Sequence, residues 1–110
     1  MTPTPHYSLV VPFFNEAGNI LPLIGTAVEV LETLGRDYEI ILVNDGSTDA
    51  TAAEIAACIT RWPRCRALHQ PRNLGQATAL LDGLRSARGA ILLAMDGDGQ
   101  NDPRDLPLLI

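Results

Sequence analysis

The sequence predicts an α/β domain built on a mostly parallel sheet with helices on both faces. Three observations carry this. Four short apolar runs recur along the 110 residues, at 7–11, 38–43, 65–69 and 90–95. Between them lie segments whose apolar residues repeat at helical spacing. The run YEIILV (38–43) is near-continuously apolar, as in a strand covered on both faces. Strands alternating with helices form parallel sheets, and their crossovers are almost always right-handed.

Each element has its own local reason. YSLVV (7–11) is apolar and β-branched, and Pro12 should end it because proline lacks the ladder N–H. A helix is expected from about Ala17 to Leu34. Ile20, Ile24, Ala27, Val28 and Leu31 share one face, Pro22 fits the first turn, and Gly35 is a plausible stop. After YEIILV, Thr48 or Asp49 can cap a second helix running to Trp62, which Pro63 ends. CRALH (65–69) is a weaker strand. GQATALLDGLRSARG (75–89) reads as a third helix with Gly89 as its stop. Gly83 within it either costs about 1 kcal/mol relative to alanine or marks close packing. AILLAM (90–95) is the fourth strand, and a further helix-like pattern starts near 102.

Length and composition fit one small domain over residues 1–110, with 46% hydrophobic residues supplying its core. The chain stops inside a helix-like pattern, so it is expected to be the N-terminal part of a longer protein. The formal net charge of −5 offers no basic stripe to meet a nucleic-acid backbone, so no nucleic-acid partner is expected. All eight basic residues are arginine, which excludes lysine-dependent chemistry such as P-loop or Schiff-base catalysis in this segment. Cys58 and Cys65 have no CxxC spacing and read as buried thiols. There is no signal-like leader and no long apolar span, so a cytoplasmic location is expected.

In a parallel sheet, ligands bind outside the strands' C-terminal ends. The four loops there are PFFNE (12–16), NDGSTD (44–49), QPRNLG (70–75) and DGDGQND (96–102). Local roles compete with functional ones. Ser47, Thr48 and Asp49 fit an Asx turn and helix cap, Glu16 fits a first-turn helix acid, and Asn73 and Gly75 fit turn and cap positions. His69 reads as a surface residue and Trp62 as a packing residue. Asp45, Asp96 and Asp98 should converge on one edge, where unpaired carboxylates raise each other's pKa. A divalent cation would compensate them, and oxygen-only ligands suit Mg²⁺ or Mn²⁺, with Gln100 as a further oxygen. Neither GxGxxG nor GxxxxGK[ST] occurs, so dinucleotide and P-loop sites fail at the motif level.

VVPFFNE, YEIILVNDGSTDAT, RNLGQATALLDGL and MDGDGQNDP together resemble the successive motifs of family 2 inverting glycosyltransferases, from about Tyr7 to Ile110. The D-x-D-x-Q-N-x-P form is most similar to the polyprenyl-phosphate sugar transferases. The resemblance implies the Rossmann-like nucleotide-binding half of a GT-A fold and a UDP- or GDP-sugar donor. It implies that Pro12, Phe14 and Glu16 line the nucleotide pocket, with Phe14 standing where tyrosine is common. Val43 and Asp45 match base and ribose contacts, Arg72 and Asn73 a further donor contact. Asp96, Gly97 and Asp98 match the diphosphate motif, and Asp96, Asp98 and Gln100 the Mg²⁺ or Mn²⁺ ligands. Gly97 stands where alanine is frequent. The acceptor implied is a polyprenyl phosphate, with membrane association through a segment outside this chain and a place at the cytoplasmic face. No position here matches the family's base aspartate. A receiver-type phosphoacceptor domain would pair acids after the first strand and carry a lysine. A sugar-nucleotide pyrophosphorylase would have a Gly-rich, lysine-containing first loop. PFFNEAGN is neither.

Overall fold

The computed structural model describes residues 4–97 and 102–105. It has a four-stranded parallel sheet in the order β3-β2-β1-β4, formed by β1 (Tyr7–Phe13), β2 (Tyr38–Asp45), β3 (Cys65–Gln70) and β4 (Ile91–Ala94). Three helices connect the strands: α1 (Ile20–Thr33), α2 (Thr51–Arg61) and α3 (Gln76–Ser86). The expected fold class is therefore present. Alternation along the two central strands divides the core. Leu9, Val11, Phe13, Ile40 and Leu42 pack with α1 and α2 residues such as Ile20, Ile24, Leu31, Ile55 and Cys58. Val10, Ile41 and Val43 point the other way, against Ala79, Leu80 and Leu84 of α3. Both central strands are buried along their whole length, which explains their unbroken apolar runs.

Several boundaries differ from expectation. β1 runs through Pro12 to Phe13 and stays in register with Val43 and Asn44. The β1–β4 ladder ends at Val10 and Ala94, and Met95 donates its N–H to the Val10 carbonyl (3.2 Å). The Pro12 nitrogen lies two residues on, on that same side, where no ladder partner is needed. α1 begins at Ile20, not Ala17, because 17–19 form a turn. α3 ends at Ser86, not Gly89. Gly89 instead lies against β1: a Cβ there would come 2.6 Å from Ser8 Oγ. Of the last helix-like pattern, the described part is one 3₁₀ turn, Pro103–Asp105.

Gly83 marks close packing. A Cβ at this position would meet Val10 Cγ1 at 2.3 Å and Val43 Cγ2 at 2.9 Å, so α3 sits directly on the two central strands. Cys58 and Cys65 are buried free thiols, as expected. Burial pushes them up to about 11 and about 12. Trp62 packs against the main core, with the Arg61 guanidinium over its ring. No helix among the described residues is long and apolar enough to cross a membrane.

Candidate functional site

The sheet order places β1 between β2, which follows it, and β4, which arrives last. Strand order therefore reverses beside β1, and a crevice opens outside the C-terminal ends there. A cavity of about 220 Å³ occupies that crevice, lined by Pro12, Phe13, Phe14, Glu16, Asp45, Gln76, Asp96 and Gly97. Complete small-molecule sites enclose roughly 300–1,000 Å³, so this cavity suits part of a nucleotide-sized ligand.

One wall is the β1–α1 loop, and the DGSTDATAAE segment holds it. Asn15 N–H donates to Ser47 Oγ (3.0 Å), Glu16 N–H to Thr51 Oγ1 (3.0 Å) and Ala17 N–H to Asp49 Oδ2 (3.3 Å). Gly18 and Leu21 N–H donate to the two oxygens of Glu54, at 2.5 and 2.7 Å. In return, Asn15 Oδ1 accepts from the Thr48 N–H (2.8 Å). Against expectation, neither Thr48 nor Asp49 is the N-cap of α2: that position is Ala50, which has no side-chain cap bond. Ser47 and Thr48 instead bond Asn15, while Asp49 also accepts from the Thr51 N–H (2.9 Å). These bonds hold Asp49 below the usual carboxylate range, the Thr51 hydroxyl first among them. Glu16 is not a first-turn helix acid, since α1 starts four residues later. Its carboxylate accepts from the Asn19 amide (3.0 Å) at the cavity rim.

The second wall is Asp45 and the start of α3 at Gln76, and Asp45 also holds the β3–α3 loop that leads into it. Asp45 is 2% exposed, and its two oxygens accept from the Leu74 N–H (2.8 Å) and the Gly75 N–H (3.1 Å). The supposed need for a cation to compensate Asp45 therefore falls away, because two backbone dipoles already do so. Next to it, Gly46 has φ +66°, and a Cβ would come within 2.1 Å of the Arg72 carbonyl carbon. No side chain fits between these loops. Arg72 and Asn73 are exposed on this loop, and Arg72 does not line the cavity. Val43 is fully buried against α3 and does not line the cavity, so the donor contact the resemblance implied for it is not exposed there. His69 is exposed and lies 3.1 Å from the Asn44 amide.

The third side comes from β4. Asp96 lines the cavity, and its Oδ1 accepts from Gln76 Nε2. Gly97 lies so close to β1 that a Cβ would sit 2.3 Å from the Pro12 oxygen and 2.4 Å from the Phe13 ring. Alanine would need those groups to shift, so here the glycine is a packing requirement. Asp98 and Gln100 lie outside the described residues. Among the described residues no three acidic, histidine or cysteine side chains form a metal-binding cluster. Asp96 supplies the oxygen chemistry a hard cation needs, and the cavity mouth beside it leaves access.

Phe13 and Gln76 line the cavity without having been read as site residues from the sequence. Phe13 lies inside the PFFNE loop, where the neighbouring Pro12, Phe14 and Glu16 were singled out, and Gln76 is one residue past the QPRNLG loop, inside the expected helix. Reading that second loop one residue further would have found Gln76. A larger depression, about 370 Å³, lies at the opposite sheet edge near Arg64, Arg66 and Arg88. Its charges are engaged: Arg64 pairs with Asp37 (3.2 Å) and Arg66 with Glu39 (2.9 Å).

A sequence profile described as glycosyl transferase family 2 matches residues 8–110. The chain belongs to glycosyl transferase family 2. Among curated family relatives, it is 40% identical over 104 residues to the dodecaprenyl-phosphate galacturonate synthase of Rhizobium johnstonii, covering 94% of this chain and 31% of that protein. It is 33% identical over 104 residues to the undecaprenyl-phosphate 4-deoxy-4-formamido-L-arabinose transferase of Edwardsiella ictaluri, covering 94% and 32%. The chain thus spans about a third of the length of these relatives. A solved mannosyltransferase from Pyrobaculum calidifontis, in complex with GDP-Man and Mn²⁺, superposes with a TM-score of 0.76 at 26% identity, over 94% of this chain and 30% of that one. The S. aureus TarS structure with UDP superposes at 0.73 and 22% identity, over 94% and 30%, which is a likeness of fold. The family 2 chain has the GT-A architecture.

Proposed function

We propose that this chain is the donor-binding part of an enzyme that transfers a sugar, with inversion, from a UDP- or GDP-sugar to a polyprenyl phosphate. The observation that carries the reading is the crevice beside β1. It combines an exposed aromatic, Phe14, with the Glu16, Asp45 and Asp96 carboxylates at a strand-order reversal. Family membership and the polyprenyl-phosphate relatives support the acceptor class. In this reading Pro12, Phe14 and Glu16 border the nucleoside. Asp45 acts mainly by holding the β3–α3 loop against it, and Arg72 reaches the donor from that loop.

Asp96, with Asp98 and Gln100, would hold Mg²⁺ or Mn²⁺ at the diphosphate. Such a cation, when bound, neutralises charge developing on the leaving nucleoside diphosphate. The protein's own part is to orient the donor and shield one face of it. The attacking group would be an oxygen of the acceptor phosphate. A family 2 transferase acting on a polysaccharide or glycan is the second reading, and a donor-binding module inactive by itself is the third.

Titrating UDP and GDP by calorimetry, with and without Mn²⁺, tests the donor site. Binding should depend on Mn²⁺, and Asp98→Ala should weaken it strongly. Equal affinity with and without metal would remove the cation from this reading. For the acceptor, sugar transfer to a short-chain polyprenyl phosphate should be detectable with the full-length protein. Transfer to a glycan alone would favour the second reading.

A further inference from the structure

We propose that Gln76 is a positioning residue for the Asp96 carboxylate, and that its neutral amide sets how tightly the crevice holds a divalent cation. The proposal rests on the donor-site reading above. Gln76 is the first residue of α3, and Asp96 follows β4, so the two reach the cavity from different sides. Gln76 Nε2 donates to Asp96 Oδ1 across that gap. The donor side is well anchored. Asp45 grips the two amides preceding Gln76, and Gly83 seats the helix on Val10 and Val43. Gln76 itself is exposed and fills no core space.

The residue type matters. An amide N–H fixes one carboxylate oxygen without cancelling its charge. An ammonium at the same place would neutralise the carboxylate and compete with a cation. A second carboxylate would add negative charge and a further ligand. Groups that orient a metal ligand typically change metal affinity by roughly tenfold to a hundredfold.

The test is a calorimetric titration of Mn²⁺ at fixed UDP and, in parallel, at fixed GDP. Parent protein is compared with Gln76→Ala, Gln76→Lys and Gln76→Glu, with thermal unfolding of each. The Mn²⁺ dissociation constant should rise roughly tenfold to a hundredfold in Gln76→Ala. It should rise further in Gln76→Lys and fall below the alanine value in Gln76→Glu, with unfolding temperatures unchanged. A merely structural role would not order the variants by charge. Equal Mn²⁺ affinity in all four proteins, or equal weakening in all three variants, overturns the role of Gln76 and leaves the donor site standing. A parent that binds neither nucleotide with Mn²⁺ overturns the donor-site reading, and this proposal with it.

Discussion

At the scale of single residues, the crevice depends on small or singly charged groups with defined neighbours. Asp45 is the clearest case. A buried carboxylate that accepts two backbone N–H bonds holds a loop as firmly as a short helix cap. Asp45→Asn keeps the shape but loses the charge and one acceptor. It should lower stability by about 1.5–3 kcal/mol, read as a fall in the urea midpoint, and weaken nucleotide binding in parallel. An unchanged midpoint would mean that the Leu74 and Gly75 amides find other partners. Gly46 and Gly97 are constrained by what lies against them: the Arg72–Asn73 backbone in one case, Pro12 and Phe13 in the other. At both positions two chain segments approach more closely than any side chain allows.

At the scale of elements, the notable feature is how α1 starts. Asn19 precedes it without a side-chain cap, and its first turn carries no acid. Glu54, on α2, supplies the missing acceptors to Gly18 and Leu21. One helix therefore caps another, and both loops of that wall become one unit. Glu54→Ala should cost about 1–2 kcal/mol and speed hydrogen exchange at the Gly18 and Leu21 amides. Exchange rates that stay at parent values would show that the cap does not hold the loop. α3 is placed by different means. Gly83 brings it onto Val10 and Val43, and that seating directs Gln76 toward Asp96.

At the scale of the whole molecule, the two sheet edges have opposite characters. The C-terminal edge is open and holds the crevice. The N-terminal edge carries the larger depression, but its charges are gathered in pairs and bonds around Glu39, which is buried at the start of β2. Ser8 donates to it (2.7 Å), as do Arg66 Nε (2.9 Å) and the Arg88 N–H (2.8 Å). Burial pushes the Glu39 carboxyl up, but these donors outweigh it and hold the group below its usual 4.5. A value depressed by folding means that Glu39 stabilises fully above about pH 4.5 and that this contribution drains as the pH falls through the folded value. Glu39→Gln should therefore be less stable at neutral pH and lose less stability on acidification. Urea midpoints between pH 7 and pH 3 check this, and parallel profiles for the two proteins would overturn it.

Much of this was legible in the residues. Among the described residues, apolar runs and helical spacing located the four strands and the three α-helices, because burial on one or both faces writes its period directly into sequence. The polar loops at the strand ends and the order of the motifs pointed to the edge where the crevice opens. Boundaries were less legible. Whether Pro12 ends a strand depends on how far β4 accompanies β1, which no local pattern encodes. Glu16 looked like a helix acid because nothing nearby shows that α1 waits until Ile20. The partners of Asp45, Ser47, Thr48 and Asp49 lie in other loops, about 30 residues away in the chain. By itself the sequence determined the fold class, the family and the sheet edge at which the crevice opens. Only the tertiary structure decided which carboxylate holds a loop and which faces the crevice. Hydrogen-bond partners are chosen by proximity in space, and proximity across a sheet is not written in sequence spacing.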